Sequence, residues 1–163
     1  MIFGMTPFTL FHVALSLIGI ASGLIVLRGL LASKPLNGWT STFLVTTAAT
    51  SLTGFLFPFH GITPAIVLGV LSLFALAAAV AGLYRFRLVG PWRWVFVVGS
   101  VAALYFNVFV FIVQAFVKLP VLHALAPTAP PSGPVFGAVQ GLILVAFVVM
   151  GVLAVRRFRP SSV

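Results

Sequence analysis

From residue 94 to residue 117 the chain reads WVFVVGSVAALYFNVFVFIVQAFV, an uncharged run held between Arg93 and Lys118. An α-helix rises about 1.5 Å per residue, so roughly 20 mostly apolar residues cross the hydrocarbon core of a bilayer, and this run is long enough. Four further stretches of the same kind follow when the sequence is read outward from it. They are Phe8 to Leu27 before Arg28, Trp39 to Phe57 before Pro58, Ala65 to Tyr84 before Arg85 and Arg87, and Val135 to Val155 between Pro134 and Arg156. The predicted fold is all-α: one integral membrane domain over residues 1–163, a bundle of five transmembrane helices.

Composition agrees. Of 163 residues, 62% are apolar and 6% charged, with a mean hydropathy of +1.29. A soluble domain carries about 25% charged residues, so this chain lacks the polar groups to cover a surface in water. There are nine Lys+Arg and no Asp, Glu or Cys. Their absence removes carboxylate general bases, Asp-containing triads, Asp/Glu proton relays, thiolate nucleophiles and thiolate metal ligands. A soluble chain this long would hold roughly 20 acidic residues. A count of zero therefore points to a sequence selected or edited to lack carboxylates.

The breaks between spans are chemical. Pro58, Gly61 and Pro64 fall within eight residues and predict a tight hairpin between the second and third spans. The segment 118–134 holds Pro120, Pro127, Pro130, Pro131 and Pro134, which excludes one continuous helix but allows a short interfacial turn over Val121 to Leu125. Met1 to Pro7 has no positive n-region and the first span no cleavage pattern, so it reads as an uncleaved first helix. With five spans, Arg28, Lys34, Arg85, Arg87, Arg93, Arg156, Arg157 and Arg159 share one side and Lys118 alone lies on the other. The positive-inside rule then predicts a cytoplasmic C-terminus and an outer N-terminus, with Trp39, Trp92 and Trp94 at the cytoplasmic interface. Arg156-Arg157-Phe158-Arg159 reads as an anchor on the lipid bilayer surface, not a nucleic-acid contact.

Polar side chains in hydrocarbon turn toward other helices or a cavity, so their spacing is the main functional evidence. His12, Ser16, Gly19 and Gly23 form one stripe of the first span, with Gly19 and Gly23 a GxxxG pair. This is a packing face, used within the chain or for self-association. The second span carries eight hydroxyls, of which Thr46, Thr50 and Thr53 are candidate ligand-lining groups, although threonines also bond their own helix's carbonyls. Asn107, Gln114 and Lys118 share a face of the fourth span, with Tyr105 at similar depth, and Gln140 in the fifth is expected to meet Gln114. The three histidines, His12, His60 and His123, all map to the outer half. As a set they are candidate ligands for a metal such as Zn²⁺ or copper, for haem, or partners of a quinone carbonyl, although they have no metal-ligand spacing. Interfacial histidine without a ligand is the plainer reading.

Phe57-Pro58-Phe59-His60-Gly61, Asn107-Val108-Phe109-Val110, Lys118-Leu119-Pro120 and Leu125-Ala126-Pro127-Thr128 resemble a family of small bacterial inner-membrane proteins. The resemblance covers most spans and implies a multi-pass protein of the bacterial inner membrane; it brings no activity. The chain departs from it after Thr128, where an acidic residue is expected and Ala129-Pro130-Pro131-Ser132-Gly133-Pro134 stands. The function expected is non-enzymatic: scaffolding, subunit association or binding of a small hydrophobic ligand. The competing expectation is a redox or metal-binding protein using the histidines near the outer face. Transport is disfavoured because no carboxylate is present to couple ions.

Overall fold

The computed structural model describes residues 6–58 and 64–160. Its elements are α1 (Pro7–Leu31), α2 (Asn37–Gly54), α3 (Pro64–Val80), which runs into a π-helical turn (Ala81–Arg85), α4 (Trp92–Lys118), α5 (Pro120–His123) and α6 (Pro134–Arg157). No strand occurs among the described residues. Pro7, Pro64, Pro120 and Pro134 each open a helix, where a residue without an amide N–H costs nothing. The prolines that break the spans also start them. The Thr6 side chain caps α1 by accepting from the amide of Thr9 at 3.2 Å.

α1, α4 and α6 outrun the apolar stretches predicted for them. α1 continues past Leu27 and takes in Arg28, a cation that suits the negative end of the helix dipole. α2 stops at Gly54 instead of Phe57, because the chain turns there and Phe57 folds back on α1, its ring 5.0 Å from Phe8 and edge-on to His12 at 5.1 Å. The third span does not stay α-helical to Tyr84. It widens into the π turn from Ala81, where a Cβ on Gly82 would lie 2.8 Å from the Trp92 carbonyl. The short turn expected in the outer loop is α5.

Four helices are long and apolar enough to cross a membrane: α1, α3 with its π turn, α4 and α6. The chain is a multi-pass membrane protein. α2 is the departure, since eight of its 18 residues are Ser or Thr. Four of these eight hydroxyls are nevertheless paired within the helix. Thr42 donates to Gly38, Thr46 to Thr42, Thr50 to Thr46 and Thr53 to Ala49, at 2.7–3.0 Å.

α4 is the hub. It touches α1, α2, α3, α5 and α6, and 44% of its apolar window is buried, against 17–28% for the other three. Around it α3, α2, α1 and α6 form an open arc in which each touches the next and α3 does not touch α6. The closest approaches are made by small residues. A Cβ on Gly99 would meet the carbonyl oxygen of Ala75 at 2.6 Å, and one on Gly23 would meet Leu104 at 2.6 Å and the Phe43 ring at 2.9 Å. Gly19 and Gly23 are thus covered inside the chain by α2 and α4.

At the cationic end the elements are tied together. Arg93 Nη1 donates to the carbonyls of Val155, at 3.1 Å, and Phe158. The amide of Arg159 donates to Ser33 Oγ at 2.8 Å, and the Phe96 and Phe158 rings lie 6.0 Å apart. A cation in the first turn of a helix opposes that helix's dipole. Arg93 is instead used on the last carbonyls of α6, which otherwise lack partners.

A candidate polar site between three helices

The stripe of α1 faces both α2 and α4, and polar atoms from the three helices meet along it. At its N-terminal end His12 Nδ1 and Thr53 Oγ1 are 2.8 Å apart. Thr53 has one hydroxyl hydrogen and donates it to Ala49 at 2.7 Å. Its oxygen therefore accepts from Nδ1–H, and Nε2 is left without that proton in the neutral ring.

One turn further in, Ser16 Oγ donates to Asn107 Oδ1 at 2.9 Å. The other half of that amide, Nδ2, has no partner, and neither has Thr47 Oγ1. Asn107 is 7% and Thr47 1% exposed. Both atoms converge on Gly19, where a Cβ would lie 3.0 Å from each. Thr46 Oγ1 stands 3.4 Å from the same point but is already bonded to Thr42. Beyond Gly19 the seam is sealed by Phe43 and Leu104 packed against Gly23. The result is an uncharged polar seam that begins near the end of the bundle where α1 starts and ends near its middle.

Of the candidate ligand-lining residues, Thr46, Thr53 and Asn107 belong to this seam, and Thr50 lies on α2 between them, bonded to Thr46. The others lie elsewhere. Tyr105 sits among Phe106, Phe109 and Phe147, on the side of α4 that meets α6. Gln114 and Lys118 are exposed near the end of α4. Gln140 does not pair with Gln114: it is buried, and its Nε2 donates to the Phe109 carbonyl at 3.2 Å. The rotation of α6 brings Gln140 to the Phe109 carbonyl, and depth alone does not fix that rotation.

The histidines fall on separate elements. His12 is held against α2, while His123 is exposed on α5, which packs on α4 alone. His60 lies outside the described residues. Among the described residues no group of three His, Cys, Asp or Glu could hold a metal ion.

Two members of the seam were not candidate site residues in the sequence. Ser16 reads as packing, and Thr47 is one hydroxyl among eight. The signal for Thr47 was its position one turn after the buried Phe43, on the side of α2 that faces α1. No family model, curated protein or solved structure matches the chain.

Proposed function

We propose that this is a non-enzymatic, five-span protein of a bacterial inner membrane that binds a small hydrophobic molecule through a polar oxygen in the α1–α2–α4 seam. The observation that carries the reading is the pair Asn107 Nδ2 and Thr47 Oγ1. Both are buried, both lack a partner and both face one point. A buried polar group left unbonded costs about 1–3 kcal/mol, so two on one spot mark a place for an acceptor. A carbonyl oxygen accepts from both, and a ligand with an apolar body reaches it from the lipid. His12 and Thr53 stand at the outer end of the path.

The ligand reading has a signed test. In ligand-free protein Thr47→Val removes the unmet hydroxyl at constant shape and should raise the melting temperature, by about 1 kcal/mol in stability. Asn107→Leu leaves Ser16 Oγ short of a partner and should lower it. In protein purified in mild detergent, organic extraction and mass spectrometry should recover a carbonyl-bearing compound that is lost with Asn107→Leu. Loss of stability in Thr47→Val, or extracts identical for wild type and Asn107→Leu, refutes the reading.

A second reading, with haem, copper or quinone near the outer face, is supported by one feature: Thr53 holds the Nδ1 side of His12 and leaves Nε2 for an external group. An absorption spectrum and metal analysis of His12→Ala decide it.

The proposed orientation has the N-terminus outside. Eight cations lie at one end of the bundle and Lys118 at the other, with α2 as the fifth crossing. α2 is about 27 Å long at 1.5 Å per residue and bonds four of its eight hydroxyls within the helix, which favours its passage through hydrocarbon. An alkaline phosphatase fused after Val163 should be inactive and a green fluorescent protein fused there bright; the opposite result overturns the topology.

A further inference from the structure

α2 and α3 touch far less than α2 touches α1 or α3 touches α4. Between them lies a lateral groove of about 220 Å³, lined by Ser41, Leu44, Val45, Ala48, Val80 and Tyr84. Its α2 wall repeats at positions 41, 44, 45 and 48, which is one helix face about 10 Å long at 1.5 Å per residue. Pockets that enclose a whole drug-sized molecule hold about 300–1,000 Å³. This groove is smaller and open to the side, a shape for one extended chain.

The two ends of the groove differ in chemistry. Toward Ala48 it is apolar. At its cationic end Ser41 Oγ and Tyr84 Oη are bonded to each other at 3.1 Å, and both residues are exposed. Two hydroxyls sharing one hydrogen bond retain one O–H donor for an outside acceptor. Arg85 follows Tyr84 in the π turn, with its guanidinium over the Phe86 ring at 5.5 Å, and Phe86 stacks on Trp92 at 3.7 Å. The chain offers this cation no carboxylate side chain anywhere.

We infer that the α2–α3 groove is a binding site for an anionic glycerophospholipid, with one acyl chain along Leu44, Val45, Ala48 and Val80 and the phosphate on the Ser41–Tyr84 hydroxyls and Arg85. Charge complementarity selects the occupant. The polar end of the groove holds a free donor, Arg85 is the exposed residue next in the chain to Tyr84, and a phosphate supplies an acceptor and the missing negative charge. The site is on the lipid-facing side and at the opposite end of α2 from the His12–Thr53 pair, so it stands independently of the ligand proposed for the seam.

Delipidated protein in a neutral detergent is titrated with dioleoylphosphatidylglycerol or dioleoylphosphatidylcholine, and bound lipid is counted by native mass spectrometry alongside thermal melting. The wild type should retain one phosphatidylglycerol more tightly than the rest and melt higher with it, and phosphatidylcholine should do neither. Arg85→Gln should weaken that one lipid roughly fivefold, the effect of about 1 kcal/mol for one basic residue near the headgroups. Tyr84→Phe should weaken it further, and Val45→Phe, which adds bulk at an exposed wall position, should block it without changing the melting of lipid-free protein. Arg157→Gln, at the same end of the bundle but on α6, which touches neither α2 nor α3, should leave it unchanged. Equal binding of the two lipids, retention in Val45→Phe, or equal losses in Arg85→Gln and Arg157→Gln would sink the proposal.

Discussion

Gly99→Ala should lower the stability of the bundle by about 3 kcal/mol, the upper end for one methyl group forced into a packed interior. The added Cβ would stand 2.6 Å from the Ala75 carbonyl oxygen, 3.1 Å from the Ala79 amide nitrogen and 3.2 Å from the Ala79 Cβ. Two of these are backbone atoms of α3, which no rotamer change can move. The helices of the α3–α4 hairpin would have to separate along their length. Gly141→Ala provides the contrast, because nothing lies within 4 Å of its added methyl on α6. There the better helix propensity of alanine should give a gain of about 0.5–1 kcal/mol. Melting of both variants in the same detergent compares them directly. If the two change stability alike, Gly99 is not in the contact described.

Arg93→Gln should have an effect of the same size by a different route. The guanidinium ties the first turn of α4 to two carbonyls at the end of α6, and charged hydrogen bonds contribute about 1.5–3 kcal/mol. Only α4 and α1 touch α6, which makes this clasp a large share of what holds its cationic end. Phe158 is 1% exposed beneath it. Brief chymotrypsin treatment should leave the wild type intact there and release residues 159–163 from Arg93→Gln. Arg93→Lys keeps the charge but loses the planar fork, so cleavage should fall in between. No change in cleavage rate at Phe158 would mean that packing on Phe96 alone secures the segment.

Much of the fold could be read from where apolar runs meet prolines and cations. Pro7, Pro64, Pro120 and Pro134 mark helix starts because the missing N–H is harmless only there. The GxxxG pair of α1 was legible as a packing face for the same kind of reason: small residues admit a neighbour whatever its identity. The π turn at Ala81 was not legible, since nothing in Ala81-Gly82-Leu83-Tyr84-Arg85 distinguishes it from a helix until Trp92 packs on Gly82. The site was half legible. Depth follows from position along a span, so Asn107, Thr46 and Thr53 could be nominated. Azimuth does not, and the rotation of α6 sends Gln140 to the Phe109 carbonyl while α2 brings Thr53 to His12. Hydroxyl-rich α2 concealed Thr47, because most threonines there satisfy themselves and only a neighbouring helix reveals which one does not.

The open arc around α4 also sets an order of assembly. α1 with α2 and α3 with α4 are sequence neighbours that pair at short loops, so each hairpin closes with little loss of chain entropy as it leaves the insertion machinery. α6 is different: it follows a proline-rich connection from residue 119 to residue 133 and finds its place only on surfaces that α1 and α4 have already built. α6 thus rests on two neighbours only, α1 and α4, both of which precede it in the chain. Its arrival is registered at the far end, when Arg93 closes over the final carbonyls of the bundle.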